Sequence, residues 1–270
     1  MITGRVLRRI VPRPAALFAA SVLTVVSTPS QGRAAETACW FENGAVVVPA
    51  EIGGVAGDWL LDPSSAHTLL HDTRADMEGL PRTFTAAGRL ADLTLPPTAV
   101  TVADLDDRAP GFATPITGVI GADLLSRYTI DLAFAPCRVR IHAGRAPGLA
   151  HARALPLVLV HGMPAVRAAV SDDRRARAGL FAVDWGSRAA VRLADADLRP
   201  AATGLDPTPR RLAPARLRAL SVDGRLYEEV SAATAEGLDP ALAGALGLEF
   251  WARWRLRLDI AGGALWLVPQ

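Results

Sequence analysis

Two short stretches hold the residue types that could do chemistry. One is Trp59-Leu60-Leu61-Asp62-Pro63-Ser64-Ser65-Ala66. The other is Phe181-Ala182-Val183-Asp184-Trp185-Gly186-Ser187-Arg188. In each, three apolar residues run into one Asp, a turn with small residues follows, and a Ser stands three places beyond the Asp. Three apolar residues suit a buried strand. A carboxylate at the end of such a strand is costly to bury unless a partner shares its charge. Two such strands, one per half of the chain, could each supply half of one site. Two carboxylates held close cannot both ionise cheaply, so one keeps a proton and the other becomes a base. Such a pair can activate a water while protonating the oxygen atom of the group under attack, with no metal and no covalent intermediate.

The elements that must position these residues repeat as well. After Asp62 comes Gly118-Val119-Ile120-Gly121-Ala122-Asp123, and after Asp184 comes Gly244-Ala245-Leu246-Gly247-Leu248-Glu249. Each is followed by an Arg, an aromatic residue and an alternating strand: Arg127-Tyr128 into Thr129–Leu132, and Arg253-Trp254 into Arg255–Asp259. A short turn then leads to a last strand, Arg138–Ile141 or Ala264–Leu267. The two Asp are offset by 122 residues and the two Gly by 126. Matched landmarks in one order at nearly one offset argue for a duplicated domain.

This order of apolar strand, Asp turn, apolar-apolar-Gly and closing hairpin resembles the aspartic peptidases. More closely, it resembles the bacterial retropepsin-like proteins with two copies in one chain. The resemblance covers nearly all of residues 40–270. It implies an all-β, two-lobed barrel fold with the cleft between the lobes. It also implies Asp62 and Asp184 as the catalytic dyad, water as nucleophile, a peptide or protein as substrate, and no cofactor. Val119-Ile120-Gly121 and Ala245-Leu246-Gly247 match the psi-shaped segment that packs across each Asp turn. Ser64 and Gly186 stand at the family's Gly position, and Ser65 and Ser187 at the next, as supporting turn residues. The turns depart from the family's Asp-Thr/Ser-Gly: they read Asp62-Pro63-Ser64 and Asp184-Trp185-Gly186. Pro63 and Trp185 cannot send a hydroxyl across to the opposite lobe, and Trp185 is expected to point out of its turn or over the cleft. The alternative function is therefore a catalytically inactive relative that binds peptides or a protein partner in the same cleft. Thr83 to Arg89 and Thr203-Gly204 are the candidates for a substrate-covering flap.

Composition narrows the setting. The chain has 270 residues, half of them hydrophobic, enough for a sizeable core. All 29 basic residues are Arg. Residues 1–34 carry five Arg and no acid; without them 24 Arg face 27 acids, a net of −3. A weakly acidic product gives no case for nucleic-acid binding. Arg5, Arg8, Arg9 and Arg13, then the apolar run Ala15 to Val26, then Gly32-Arg33-Ala34, read as a signal peptide cleaved after Ala34. The apolar run is too short for a comfortable membrane span. A periplasmic or secreted monomer is expected, with no stable membrane insertion. Two Cys, Cys39 and Cys137, suit a disulfide in an exported chain.

The first lobe is expected over 39–145, a linker over 146–154 and the second lobe over 155–270. Within the first, 72–88 reads as polar and turn-rich, and Leu90–Leu95 and Thr98–Leu105 as a strand pair around Pro96-Pro97. Residues 199–214, with four Pro, read as a loop. His67 and His71 beside Asp72 have a helical metal spacing, but on a strand they lie about 13 Å apart, so no metal is expected. Ser64 or Ser65 with His67 lacks the glycine pattern of a nucleophile elbow. Trp251, Trp254 and Trp266 are read as core residues of the second closing hairpin.

Overall fold

Residues 93–103 show how this sequence writes a strand. Leu93 and Leu95 are buried, then Thr98, Val100 and Val102, with exposed or half-exposed residues between. The alternation slips by one residue at Pro96-Pro97, where the facing strand steps from Gly88 to Ala86 while this one steps from Leu95 to Thr98. The extra residue is a bulge, and it takes up two prolines that have no N–H for the ladder. The strand pair expected around Pro96-Pro97 is therefore one 11-residue strand. Its partner lies earlier, in Thr83–Leu90, a segment expected to be turn-rich.

The computed structural model describes Met1 and residues 33–42, 44–108, 112–172, 175–194, 215–235 and 237–270. The expected signal sequence up to Gly32, the 199–214 loop and the Thr203-Gly204 flap candidate lie outside the described residues. The first lobe is built from β2 (Trp40–Glu42), β3 (Ala45–Ile52), β4 (Val55–Leu61), β5 (Thr68–His71), α1 (Asp72–Met77), β6 (Thr83–Leu90), β7 (Leu93–Ala103), β8 (Ile116–Ile120) and α2 (Ala122–Leu125). Its sheet runs β2-β3-β4-β8-β5-β7-β6, and an additional β3–β6 pairing closes six of the strands into a barrel.

The second lobe is built from β12 (Val158–Val160), β13 (Met163–Ser171), β14 (Ala176–Val183), β15 (Val191–Leu193), β16 (Ala215–Val222), β17 (Arg225–Thr234), β18 (Gly244–Leu246) and α3 (Leu248–Trp251). Its order is β12-β13-β14-β18-β15-β17-β16, closed by β13–β16. Strand for strand this is the first lobe again. The duplication expected from two landmarks extends to every strand of both barrels.

A third sheet joins the lobes. β1 (Arg33–Ala38), β9 (Thr129–Phe134), β10 (Cys137–Ala143), β11 (Arg153–Pro156), β19 (Trp254–Asp259) and β20 (Ala264–Pro269) run in the order β1-β10-β9-β19-β20-β11. The two closing hairpins meet along β9 and β19, with Leu132 opposite Leu256 and Ile130 opposite Leu258. β1 begins at Arg33 and so crosses the expected cleavage point; cleavage after Ala34 would leave Ala35–Ala38 paired with Ile141–Arg138. On one row of this sheet Glu36, Arg140, Asp131 and Arg257 stand side by side. Arg257 forks onto both oxygens of Asp131 and also donates to the Pro147 carbonyl, and His142 holds Asp131 Oδ2 at 2.9 Å. A disulfide joins Cys39 to Cys137 across 98 residues of chain. Closing a loop of that size is worth about 4.7 kcal/mol in the chain-entropy model.

One hydrophobic core runs through both lobes and the joining sheet, from Val46 and Trp59 to Phe181, Trp185 and Trp251. Trp251 is fully buried, whereas Trp254 and Trp266 are only half-buried. No described helix is long and apolar enough to cross a membrane.

Candidate active site

Each Asp sits where a strand leaves its barrel, with an antiparallel neighbour on one side and a parallel one on the other. β4 pairs in parallel with β8, and β14 with β18. The ladder runs one step beyond each strand, so Asp62 N–H donates to Ile120 O at 3.1 Å and Asp184 N–H to Leu246 O at 3.0 Å. The following glycine then crosses the Asp turn. A Cβ on Gly121 would lie 2.4 Å from the His67 carbonyl oxygen, and one on Gly247 2.1 Å from that of Ala189. Only glycine allows that approach. The next residues fasten the turn, Ala122 N–H to Ser65 O and Leu248 N–H to Ser187 O. The psi-shaped crossing thus follows one main-chain path in both lobes, although Gly121 N–H donates to Thr68 Oγ1 and Gly247 N–H to the Ala190 carbonyl.

The two turns meet. Trp185 N–H donates to Asp62 Oδ1 at 3.3 Å, and Val46 N–H to the Trp185 carbonyl at 3.2 Å. A Cβ on Gly186 would lie 2.6 Å from Asp62 Oδ2, so the glycine of one turn abuts the carboxylate of the other. Both carboxylates are sealed from solvent, Asp62 at 0 % and Asp184 at 1 % exposure.

Counting donors shows what each oxygen can still accept. Asp62 Oδ1 takes three: Ser64 N–H at 2.9 Å, Ser64 Oγ–H at 2.6 Å and Trp185 N–H. Its Oδ2 takes one, from Arg108 Nη1 at 2.8 Å. Asp184 Oδ1 takes one, from Gly186 N–H at 2.8 Å. Its Oδ2 takes two, Ser187 Oγ–H at 2.5 Å and Arg192 Nη1 at 3.0 Å. Among described residues, Asp62 Oδ2 and Asp184 Oδ1 are therefore the oxygens with a single donor, one on each lobe.

The charges are uneven. Burial, and next the charge of Asp62, push the Asp184 carboxyl above its ordinary value; Arg192 and Ser187 pull it back without cancelling the rise. Asp62 in turn holds the Arg108 guanidinium more firmly protonated.

Several expected site residues behave differently from one another. Ser64 occupies the family's glycine position without a left-handed backbone, since it is absent from the positive-φ residues, and its hydroxyl binds its own Asp. Ser65 and Ser187 are equivalent in sequence but not in role: Ser65 Oγ–H donates to the His67 carbonyl, not to Asp62. Trp185 neither points out of the turn nor covers a cleft. Its side chain is fully buried in the core, with Nε1 lacking a partner, and Pro63 is buried too. Pro63 and Trp185 pack where the resembled turns carry hydroxyls, and main-chain N–H groups make the cross-lobe bonds. The flap candidate Thr83–Arg89 is β6 in the barrel wall. His67 is exposed outside any strand, while His71 meets Asp72 at 2.9 Å and Asp106 at 3.3 Å.

Sequence reasoning missed Arg108 and Arg192. Arg108 ends a short 3-10 turn, Asp106–Arg108, whose backbone is fixed by Arg108 N–H to Leu105 O. Arg192 lies on β15, where the first lobe has the buried Leu70. A signal for Arg192 existed: an Arg amid Ala190, Val191 and Leu193 on a buried strand needs a carboxylate. Arg108, in a loop of mixed charge, gave none.

No protein-family model matches the chain, and no curated protein matches it in sequence. Among solved structures it is similar to the aspartic proteinase from Irpex lacteus, with 13 % identity and a TM-score of 0.53, over 88 % of this chain and 98 % of that one. At that identity the likeness speaks for the fold. The fold is the two-lobed, all-β aspartic-peptidase fold.

Proposed function

We propose that this chain is an exported aspartic-type endopeptidase of the retropepsin-like kind with both copies in one chain. Asp62 and Asp184 form its dyad, and an extended peptide lies between lobes spanning about 39–145 and 155–270. The observation that carries the reading is a pair of buried carboxylates from equivalent turns, each with one oxygen, Asp62 Oδ2 and Asp184 Oδ1, that has a single donor. Asp184, pushed up by burial and by its neighbour, is the carboxyl that holds the proton. Asp62 is then the base. It takes a proton from water as the oxygen attacks the peptide carbon, while Asp184 gives its proton to the carbonyl oxygen. As the resulting diol collapses, a diol proton returns to Asp184. Asp62 passes its proton to the leaving amine, and the C–N bond breaks.

One observation favours a second reading, a silent relative that only binds peptides: each carboxylate already carries a guanidinium. Cleavage of a mixed peptide library by the mature protein from about pH 3 to 7, beside Asp62→Asn and Asp184→Asn, separates the two. Acid-favoured cleavage lost in both variants is the expected result. No cleavage at any pH by folded protein refutes the peptidase and leaves the binding module.

A further inference from the structure

Two carboxyls buried together carry a single negative charge, because one of them holds a proton. Alone, the two carboxyls would give the centre a charge of −1. Here two guanidiniums are fixed onto them, Arg108 on Asp62 at 2.8 Å and Arg192 on Asp184 at 3.0 Å. The centre then carries +1. The two arginines come from different lobes and different elements, one on each carboxylate.

Neither guanidinium is used up. Each has five N–H donors in a planar fork, and among described residues each gives only one bond, from Nη1. Their side chains are 32 % and 26 % exposed, whereas the carboxylates they hold are sealed. No remaining nitrogen of either is both buried and unpaired. The acids nearest Arg108 in sequence do not neutralise it. Asp106 faces His71, Asp104 accepts the Asp106 N–H, and Asp107 lies on the exposed side of its turn. A charged fork anchored by one arm to a buried carboxylate can bind a second carboxylate with its free arm, and guanidinium is the group whose geometry suits that.

We propose that Arg108 and Arg192 are specificity residues, and that the peptides this cleft takes carry acidic side chains, Asp or Glu, beside the bond placed over the dyad. The inference rests on the cleft being the peptide site, but not on cleavage. Substrate acids meet the free guanidinium arms, one on each carboxylate of the dyad, and offset the +1 centre.

The test is a binding measurement. An eight-residue peptide with a hydroxyethylene unit replacing its central bond and Glu on both sides is titrated calorimetrically into the full chain at pH 5. Its twin has Gln at both places. We expect the Glu peptide to bind about tenfold tighter or better, as for a charge-assisted bond over a neutral one, with the advantage shrinking as salt rises. Arg108→Lys and Arg192→Lys keep the charge on each Asp but lose the fork, and should cut the preference several-fold. Arg→Met variants would remove it further but leave a buried carboxylate unpaired, so the Lys variants carry the test if they fail to fold. Equal binding of the twins, binding of neither, or a preference unchanged in both Lys variants overturns the proposal. A Glu preference without any cleavage in the library assay supports it while refuting the peptidase.

Discussion

Gly186 offers the sharpest check on whether the two turns meet as described. Its backbone φ is not in the left-handed range, so alanine there meets no conformational penalty of its own. The cost lies in space. A Cβ would stand 2.6 Å from Asp62 Oδ2, 3.0 Å from its Cγ and 3.5 Å from Arg108 Nη1. Asp62 cannot swing aside freely, because four hydrogen bonds fix it. Relief to ordinary contact needs a shift approaching 1 Å, enough to break the Trp185 N–H bond or the Arg108 pair. Overpacking of this kind costs about 1–3 kcal/mol, roughly 2–4 °C of Tm per kcal/mol in a chain of this size. Gly186→Ala, followed by thermal unfolding and by library cleavage, should therefore lose several degrees and most activity. Gly186→Ser should do no better, although Ser64 stands at the equivalent place in the first lobe. The Ser64 side chain turns to its own Asp62, whereas a side chain at 186 meets the other lobe's carboxylate. A Gly186→Ala protein with unchanged Tm and activity would mean that the turns do not approach as described.

Two further outcomes follow from single groups. Asp131→Asn should destabilise the joining sheet by about 2–3 kcal/mol, since it leaves the nearly buried Arg257 short of its partner; urea unfolding reads this, and a loss under 0.5 kcal/mol would count against the bridge holding the lobes. Burial raises the Asp131 carboxyl, but Arg257 and His142 outweigh it and hold it below its ordinary value. Its stabilisation is thus present above about pH 4 and lost as pH falls through the folded value, and in the Asn variant that part of the acid loss should vanish. Ser187→Ala removes a bond that lowers the Asp184 carboxyl, so this group should hold its proton to higher pH and the alkaline limb of activity should move up. Ser65→Ala removes only a bond to a carbonyl and should leave that limb in place; equal shifts in the two would refute their unequal roles. In stability terms the raised Asp184 contributes fully below about pH 4, and the contribution is lost as pH rises through its folded value.

What was legible in the sequence is what local pattern determines. Asp62 and Asp184, Gly121 and Gly247 stand at the ends of short apolar strands, and the steric demand for glycine follows from the crossing itself. The pairing of Cys39 with Cys137 needed only an even count and the expectation of export. Strand neighbours were harder. Pro96-Pro97 reads as a break because proline cannot join a ladder, yet one bulge absorbs both. Segment 72–88 reads as polar because β6 lies in a barrel wall with one face to solvent, burying only Leu90. The joining of β9 to β19 over more than a hundred residues leaves no local mark. The fate of Trp185 was misjudged for the same reason: a bulky residue in a turn looks exposed until a second lobe covers it.

The duplication explains both the symmetry of the site and its breakdown. Everything symmetric is made by main chain: the Asp N–H bonds, the glycine crossings, the fastening of each turn by the next helix. Such bonds survive almost any side-chain change outside the two glycines. Apart from the Trp185 main-chain bonds across to the first lobe, what is asymmetric is made by side chains. Thr68 and Asp123 brace the first turn, while Ser231 and Glu249 brace the second from another strand. Ser64 bonds Asp62, Ser187 bonds Asp184, and the arginines come from a loop on one side and a strand on the other. A close carboxyl pair keeps one proton even in identical surroundings, because like charges repel; here the unequal side chains favour Asp184 as the group that holds it.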